Sequence, residues 1–164
     1  MYAAGRLDYD SEGLVLLTDD GQLQARIANP QHKMRKHYLC QVSGTPTEAH
    51  AIQLLSGVLL NDGPARAVAA TPTPSPTAHP RVPVVTHPHA MGWIEVIITE
   101  GRNRQVRRML AAVGLPVLRL IRTQIGPWRL EGLAPGESRR LQLHAPLSTR
   151  ATLRARPRRQ PRGS

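Results

Sequence analysis

The stretch HYLCQVSGTPTEAHAIQLLSG, residues 37–57, changes its hydrophobic period halfway along. Up to Gly44 it alternates: Tyr38, Cys40 and Val42 fall on one side and Leu39 and Gln41 on the other, the pattern of a half-buried strand. Beyond Gly44 the period lengthens. Thr45 and Glu48 have the spacing of a capping box, Pro46 suits a first helical position, and Ala49, Ile52, Leu55 and Leu59 recur at helical intervals. A strand is therefore expected to run straight into a helix here.

Reading outward from this pair gives more short elements of both kinds. Upstream, GLVLL (13–17) is an apolar run of strand length. TDDG follows, with turn chemistry and an N-cap for a helix over QLQARIA, which Asn29 and Pro30 bring to a stop. Downstream, residues 64–90 contain seven prolines, which forbid a long helix and confine any strand to a sheet edge, so a long loop with one short strand is expected. GWIEVIITEG (92–101) returns to strand pattern with Ile94, Val96 and Ile98 on one face. NRQVRRMLAAVG (103–114) reads as a helix capped by Asn103, buried along Val106, Met109, Leu110 and Val113, and ended by Gly114 and Pro116. VLRLIRT (117–123) and RRLQL (139–143) are two further strands. This order favours an α+β fold, a mixed and mostly antiparallel sheet with flanking helices, over a doubly wound sheet.

Charge narrows the class of partner. The chain has 164 residues, with 22 Lys and Arg against 11 Asp and Glu and a net charge of +11, a balance that favours a polyanion such as nucleic acid. Fifteen of the 22 cations follow Thr99, and six arginines fall within residues 150–164, a Pro- and Arg-rich tail with too little apolar content to pack. No apolar run reaches the ~18 residues of a membrane span and no signal-peptide pattern follows Met1, so no membrane partner and a cytoplasmic location are expected. The single cysteine, Cys40, excludes an internal disulfide and reads as a core residue. His79, His87 and His89 lie in the proline-rich stretch without carboxylate or thiol neighbours in sequence, so no metal is expected there.

Against the basic trend, five acids stand in the first twenty residues: Asp8, Asp10, Glu12, Asp19 and Asp20. Asp19 and Asp20 serve the turn and cap, and Asp10 and Glu12 read as turn and strand-entry residues. Asp8 follows Arg6 in Gly-Arg-Leu-Asp, just ahead of the apolar run. Far downstream, EGRNRQVRRM (100–109) places Arg104, Arg107 and Arg108 three and four positions apart, on one side of a helix. Such a face can hold phosphates or keep one carboxylate ionised. On the residues alone, a solvated basic face with Asp8 as a surface acid is the reading that composition favours.

GRLDYDSEGLVLLTDDG (5–21), KHYLCQVSGTPT (36–47), EGRNRQVRRM (100–109) and LPVLRLIRTQIG (115–126), taken in order, resemble the successive motifs of the pseudouridine synthases of the RsuA/RluB/RluE/RluF family. The resemblance runs from Gly5 to about residue 143 and is nearest to the RluE branch, which acts on large-subunit ribosomal RNA. It implies isomerisation of a uridine, without metal or cofactor. It also implies Asp8 as nucleophile, Arg107 as its charge partner, Tyr38 as a stacking platform for the base and Leu120 packed under the site. Arg6 would enter the space the base leaves, and Lys36, Arg102, Arg104 and Arg108 would contact RNA. The catalytic domain is expected over residues 1–146, a disordered tail over 147–164, and the protein as a monomer. Family members carry, ahead of Gly-Arg-Leu-Asp, a core strand with a Lys-Pro-x-Gly turn. Asp8 stands seven residues after Met1, so an N-terminally shortened fold with an uncovered edge or core face is expected. The competing reading is a basic RNA-binding protein that keeps this fold and does no chemistry.

Overall fold

The computed structural model describes residues 1–76 and 89–141. In chain order the elements are β1 (Tyr2–Ala4), β2 (Glu12–Gly13), β3 (Leu16–Thr18), α1 (Gly21–Ala28), a 3-10 turn (Pro30–His32), β4 (Lys36–Ser43), α2 (Glu48–Ser56), β5 (Val58–Leu60), β6 (Gly63–Ala65), β7 (Ala69–Thr73), β8 (Met91–Ile98), α3 (Gln105–Ala112), β9 (Val117–Ile125) and β10 (Trp128–Arg129). The architecture is α+β, as the element order predicts.

The main sheet runs β10-β9-β4-β8-β7 with antiparallel neighbours, and β2 adds a parallel contact to β9. β4 lies at its centre, with Cys40 opposite both Ile94 and Leu120. The alternation in residues 37–43 is realised: Cys40 and Val42 are fully buried, and Tyr38 packs at the border of the same core. Ile94, Val96 and Ile98 of β8 join them, and Leu54 of α2 with Val106, Met109 and Leu110 of α3 close this core. Ala4, Leu14, Ile27 and Ile125 form a smaller second cluster under α1.

Several expectations need correction. GLVLL is not one strand. Gly13 ends β2 at a φ of +109°, and a Cβ there would strike the backbone of Arg122 on β9, so glycine is required where the two backbones meet. Leu14 is buried, Val15 is exposed, and the chain resumes as β3, which pairs with β1 with Tyr2 opposite Thr18. In α2 the N-cap is Thr47 rather than Thr45; its backbone N–H donates to His50 Nδ1 at 3.0 Å. Independently of the cap, the face that packs on the sheet is the one carrying Ala51 and Leu54, both buried, while Ile52 is 61% exposed. The helix also stops at Gly57, leaving Leu59 in β5.

Asn103 does not cap α3. Arg104 takes that place with left-handed backbone, φ 50°. Here the loop is closed by Gln105, whose side chain accepts from the Arg102 N–H and donates to Glu100. The proline-rich stretch supplies all of β7 and part of β6. Pro72 sits in β7 at the edge of the main sheet, where a missing N–H costs no ladder bond. Arg139, Arg140 and Leu141 form no strand; residues 142–143, the basic tail, and His79 and His87 lie outside the described residues.

Candidate active site

A cleft of about 420 Å³ opens between the N-terminal segment, β4, β9 and the loop before α3. Its size falls in the range of small-ligand sites. Among the described residues, Asp8 is the one acid on its wall, facing Arg6, Lys36, Arg102, Arg104 and Arg122. Tyr38 and Leu120 line it as well. Two segments far apart in sequence, 5–11 and 98–106, thus meet across β4 and β9.

Asp8 sits on a turn that begins after Gly5 and is closed by the Ser11 N–H on the Asp8 carbonyl, 2.9 Å. Its carboxylate lies 3.7 Å from the Arg104 guanidinium. Arg107, expected beside Asp8, makes no direct ion pair with it, although the Asp8 charge acts on the Arg107 guanidinium. Arg107 instead donates to the Asp10 carbonyl oxygen at 2.8 Å and lies 3.6 Å from the Asp10 carboxylate. Helical spacing put Arg104 and Arg107 on one side. The left-handed turn at Arg104 then swings its side chain outward over the acids, while Arg107 stays against the backbone beneath.

Asp10 is therefore more than a turn residue. Arg104 holds it with two bonds of 2.8 Å, and that hydrogen bonding keeps its carboxyl down at about 2. Burial lowers the pKa of Arg107, and its Nε is buried without a partner among the described residues.

Lys36 and Tyr38 enter from the N-terminal end of β4, two residues apart. Burial, helped by the nearby Arg122 charge, lowers the Lys36 pKa, and the Lys36 ammonium donates to the Glu100 carbonyl at 3.2 Å. Burial raises the Tyr38 pKa; the Arg122 guanidinium facing its hydroxyl opposes that shift. Leu120, 4% exposed, packs below. Arg6 is exposed at the mouth.

Arg102 and Arg108 are engaged within the fold. Arg108 makes bonds of 2.8 and 3.0 Å to the two carboxylate oxygens of Asp62, at the tip of the β5–β6 hairpin. Arg102 bonds the Pro64 carbonyl at 2.6 Å, Glu100 at 3.0 Å and Asp62 at 3.2 Å. These pairs lower the Asp62 pKa, with Arg108 the main cause. Cys40 is wholly buried and burial pushes its thiol pKa up, as suits a core residue.

Sequence reasoning passed over Arg122. It is 2% exposed, yet it lies two residues after Leu120 in a strand that reads as apolar. That shared parity was the available signal. One carboxylate set among cations beside a tyrosine, in a cleft on a basic protein, is an arrangement suited to a polyanion.

A family model described as RNA pseudouridylate synthase matches residues 1–112, and the chain belongs to that family of isomerases. It is 57% identical over 140 residues to the ribosomal large subunit pseudouridine synthase E of Xanthomonas axonopodis pv. citri, an alignment covering 82% of this chain and 73% of that one. With the protein of the same name from Vibrio vulnificus it shares 46% over 145 residues, covering 87% of this chain and 62% of the relative. A crystal structure of a pseudouridylate synthase superposes with a TM-score of 0.68 at 36% identity, covering 86% of this chain and 56% of that one.

Proposed function

We propose that this chain converts a uridine of large-subunit ribosomal RNA to pseudouridine, with Asp8 as the nucleophile. The observation that carries the reading is the placement of Asp8 as the one acid, among the described residues, on the wall of a cleft lined by five cations and Tyr38. The substrate class follows from the names of the relatives.

The reaction neither gains nor loses atoms. The bond from C1′ to N1 breaks, the uracil turns, C1′ joins carbon 5, the proton on carbon 5 leaves and N1 ends protonated. A carboxylate suits it because the same group can add to an electrophilic carbon and later depart. Arg104, 3.7 Å away, is the cation beside it. Arg107 contributes through Asp10 and the Ser11 turn, keeping the Asp8 loop in place.

The target nucleotide has to leave its stack to enter the cleft. Tyr38 offers it an aromatic face, a contact worth about 1–3 kcal/mol, with Leu120 behind. Arg6, exposed at the mouth, fills the vacated position in the RNA, and Lys36 takes a phosphate, while Arg104 stays with the two acids. Carbodiimide mapping of large-subunit ribosomal RNA incubated with wild type and with Asp8→Asn tests the reading. A new pseudouridine with wild type alone is the expected result. The same signal from both proteins removes Asp8 from the chemistry, and no signal from either leaves a basic protein that binds RNA without modifying it.

A further inference from the structure

Arg122 stands in the middle of β9, 2% exposed, and borders the cleft. Burying a guanidinium is costly unless its donors are satisfied. Among the described residues its donors go to backbone carbonyls. Nε and Nη2 both donate to the Leu14 carbonyl, at 2.9 and 2.8 Å, and Nη1 donates to the Arg6 carbonyl at 2.9 Å. The Arg122 carbonyl in turn accepts from the Leu14 N–H at 2.8 Å. Arg119, three residues earlier, is different: it meets the Glu12 carboxylate with three bonds of 2.8 to 3.1 Å.

The two carbonyls bracket Asp8. Arg6 precedes it by two residues and Leu14 follows by six, so a single planar group spans the base of the loop that carries the acid. Arg122 also stands opposite Tyr38 across the β4–β9 pairing, and both line the cleft. It therefore bonds the acid's loop and neighbours the residue against which the base would lie.

We propose that Arg122 is a positioning residue of the reaction: by holding the Arg6 and Leu14 carbonyls on β9 it sets the distance between the Asp8 carboxylate and a base resting on Tyr38. The inference rests on the reading of Asp8 as nucleophile. A lysine at this position keeps the charge but has one compact ammonium in place of a rigid fork, and cannot hold both carbonyls in the same geometry.

The test compares wild type with Arg122→Lys and Arg122→Gln in three measurements: affinity for a large-subunit ribosomal RNA fragment, the single-turnover rate on it, and amide hydrogen exchange. In Arg122→Lys affinity stays within about threefold while the rate falls about 100-fold, the scale of a misplaced reacting group. Faster exchange is confined to residues 6–13, and Arg122→Gln loses at least as much rate. A rate equal to wild type overturns the proposal, as does a loss of rate matched by loss of affinity. If wild type itself forms no pseudouridine, the proposed function fails, and exchange alone judges the tether. Acceleration limited to 6–13 upholds it; unchanged exchange there, or acceleration across the whole sheet, overturns it.

Discussion

Asp8 and Asp10 are two residues apart and share Arg104, but the arginine divides itself unequally: two bonds of 2.8 Å to Asp10 against 3.7 Å to Asp8. The result is one tightly held acid and one left accessible beside the same charge. Asp10 folds with its pKa lowered to about 2, below the ~3.9 of an unfolded aspartate. Its stabilisation is therefore complete above the unfolded value and is lost as pH falls through about 2. Because the side chain is 40% exposed, solvent screening keeps the effect small. Urea unfolding of wild type and Asp10→Asn should show a gap in midpoint at about pH 6 that closes toward about pH 2. A gap unchanged at the acid end contradicts the pairing. At this scale the sequence was only partly legible. Spacing on a helix shows that Arg104 and Arg107 share a side, but not which of them meets an acid on a loop nearly a hundred residues away. Arg122 was harder, because what makes it tolerable in the core is a pair of carbonyls, and every residue has one.

At the scale of elements, what reads cleanly is whatever depends on near neighbours. Asp20 caps α1 by accepting from the Gln22 and Leu23 N–H groups, and the alternation of β4 and β8 gives the correct buried faces. The prolines forecast the edge position of β7. Helix α2 shows the limit: neither its cap, Thr47 rather than Thr45, nor its buried face follows from local spacing, because the face is chosen by what the helix packs against. Leu54 is fully buried and Ile52 largely exposed. Leu54→Ala should therefore cost about 2–5 kcal/mol, and Ile52→Ala less than about 0.5 kcal/mol, in urea unfolding. The reverse order of costs would show that the opposite face of α2 is the buried one.

Over the whole molecule, the spaced motifs foretold the family, and composition points to a polyanionic partner, since both are sums that do not need coordinates. Which cations remain for RNA is a different matter, set by folding. Arg102 and Arg108 are drawn to Asp62 on a hairpin that the linear pattern did not connect to them. Binding to ribosomal RNA should weaken linearly in log–log terms with salt. In filter binding across a salt series, Lys36→Ala should reduce the slope by about 1, one phosphate contact, whereas Arg108→Ala should leave it unchanged. An equal drop for both variants shows that RNA displaces Asp62.

The grip of Arg122 on Arg6 and Leu14 closes spans of 116 and 108 residues. Synthesis proceeds from the other end, so Asp8 leaves the ribosome long before the strand that anchors it. A nascent chain that has emerged only through α3 already carries its acid and Arg104, yet the floor on which their loop rests has still to be made. The working centre thus comes together late in the birth of the molecule, after translation has passed β9.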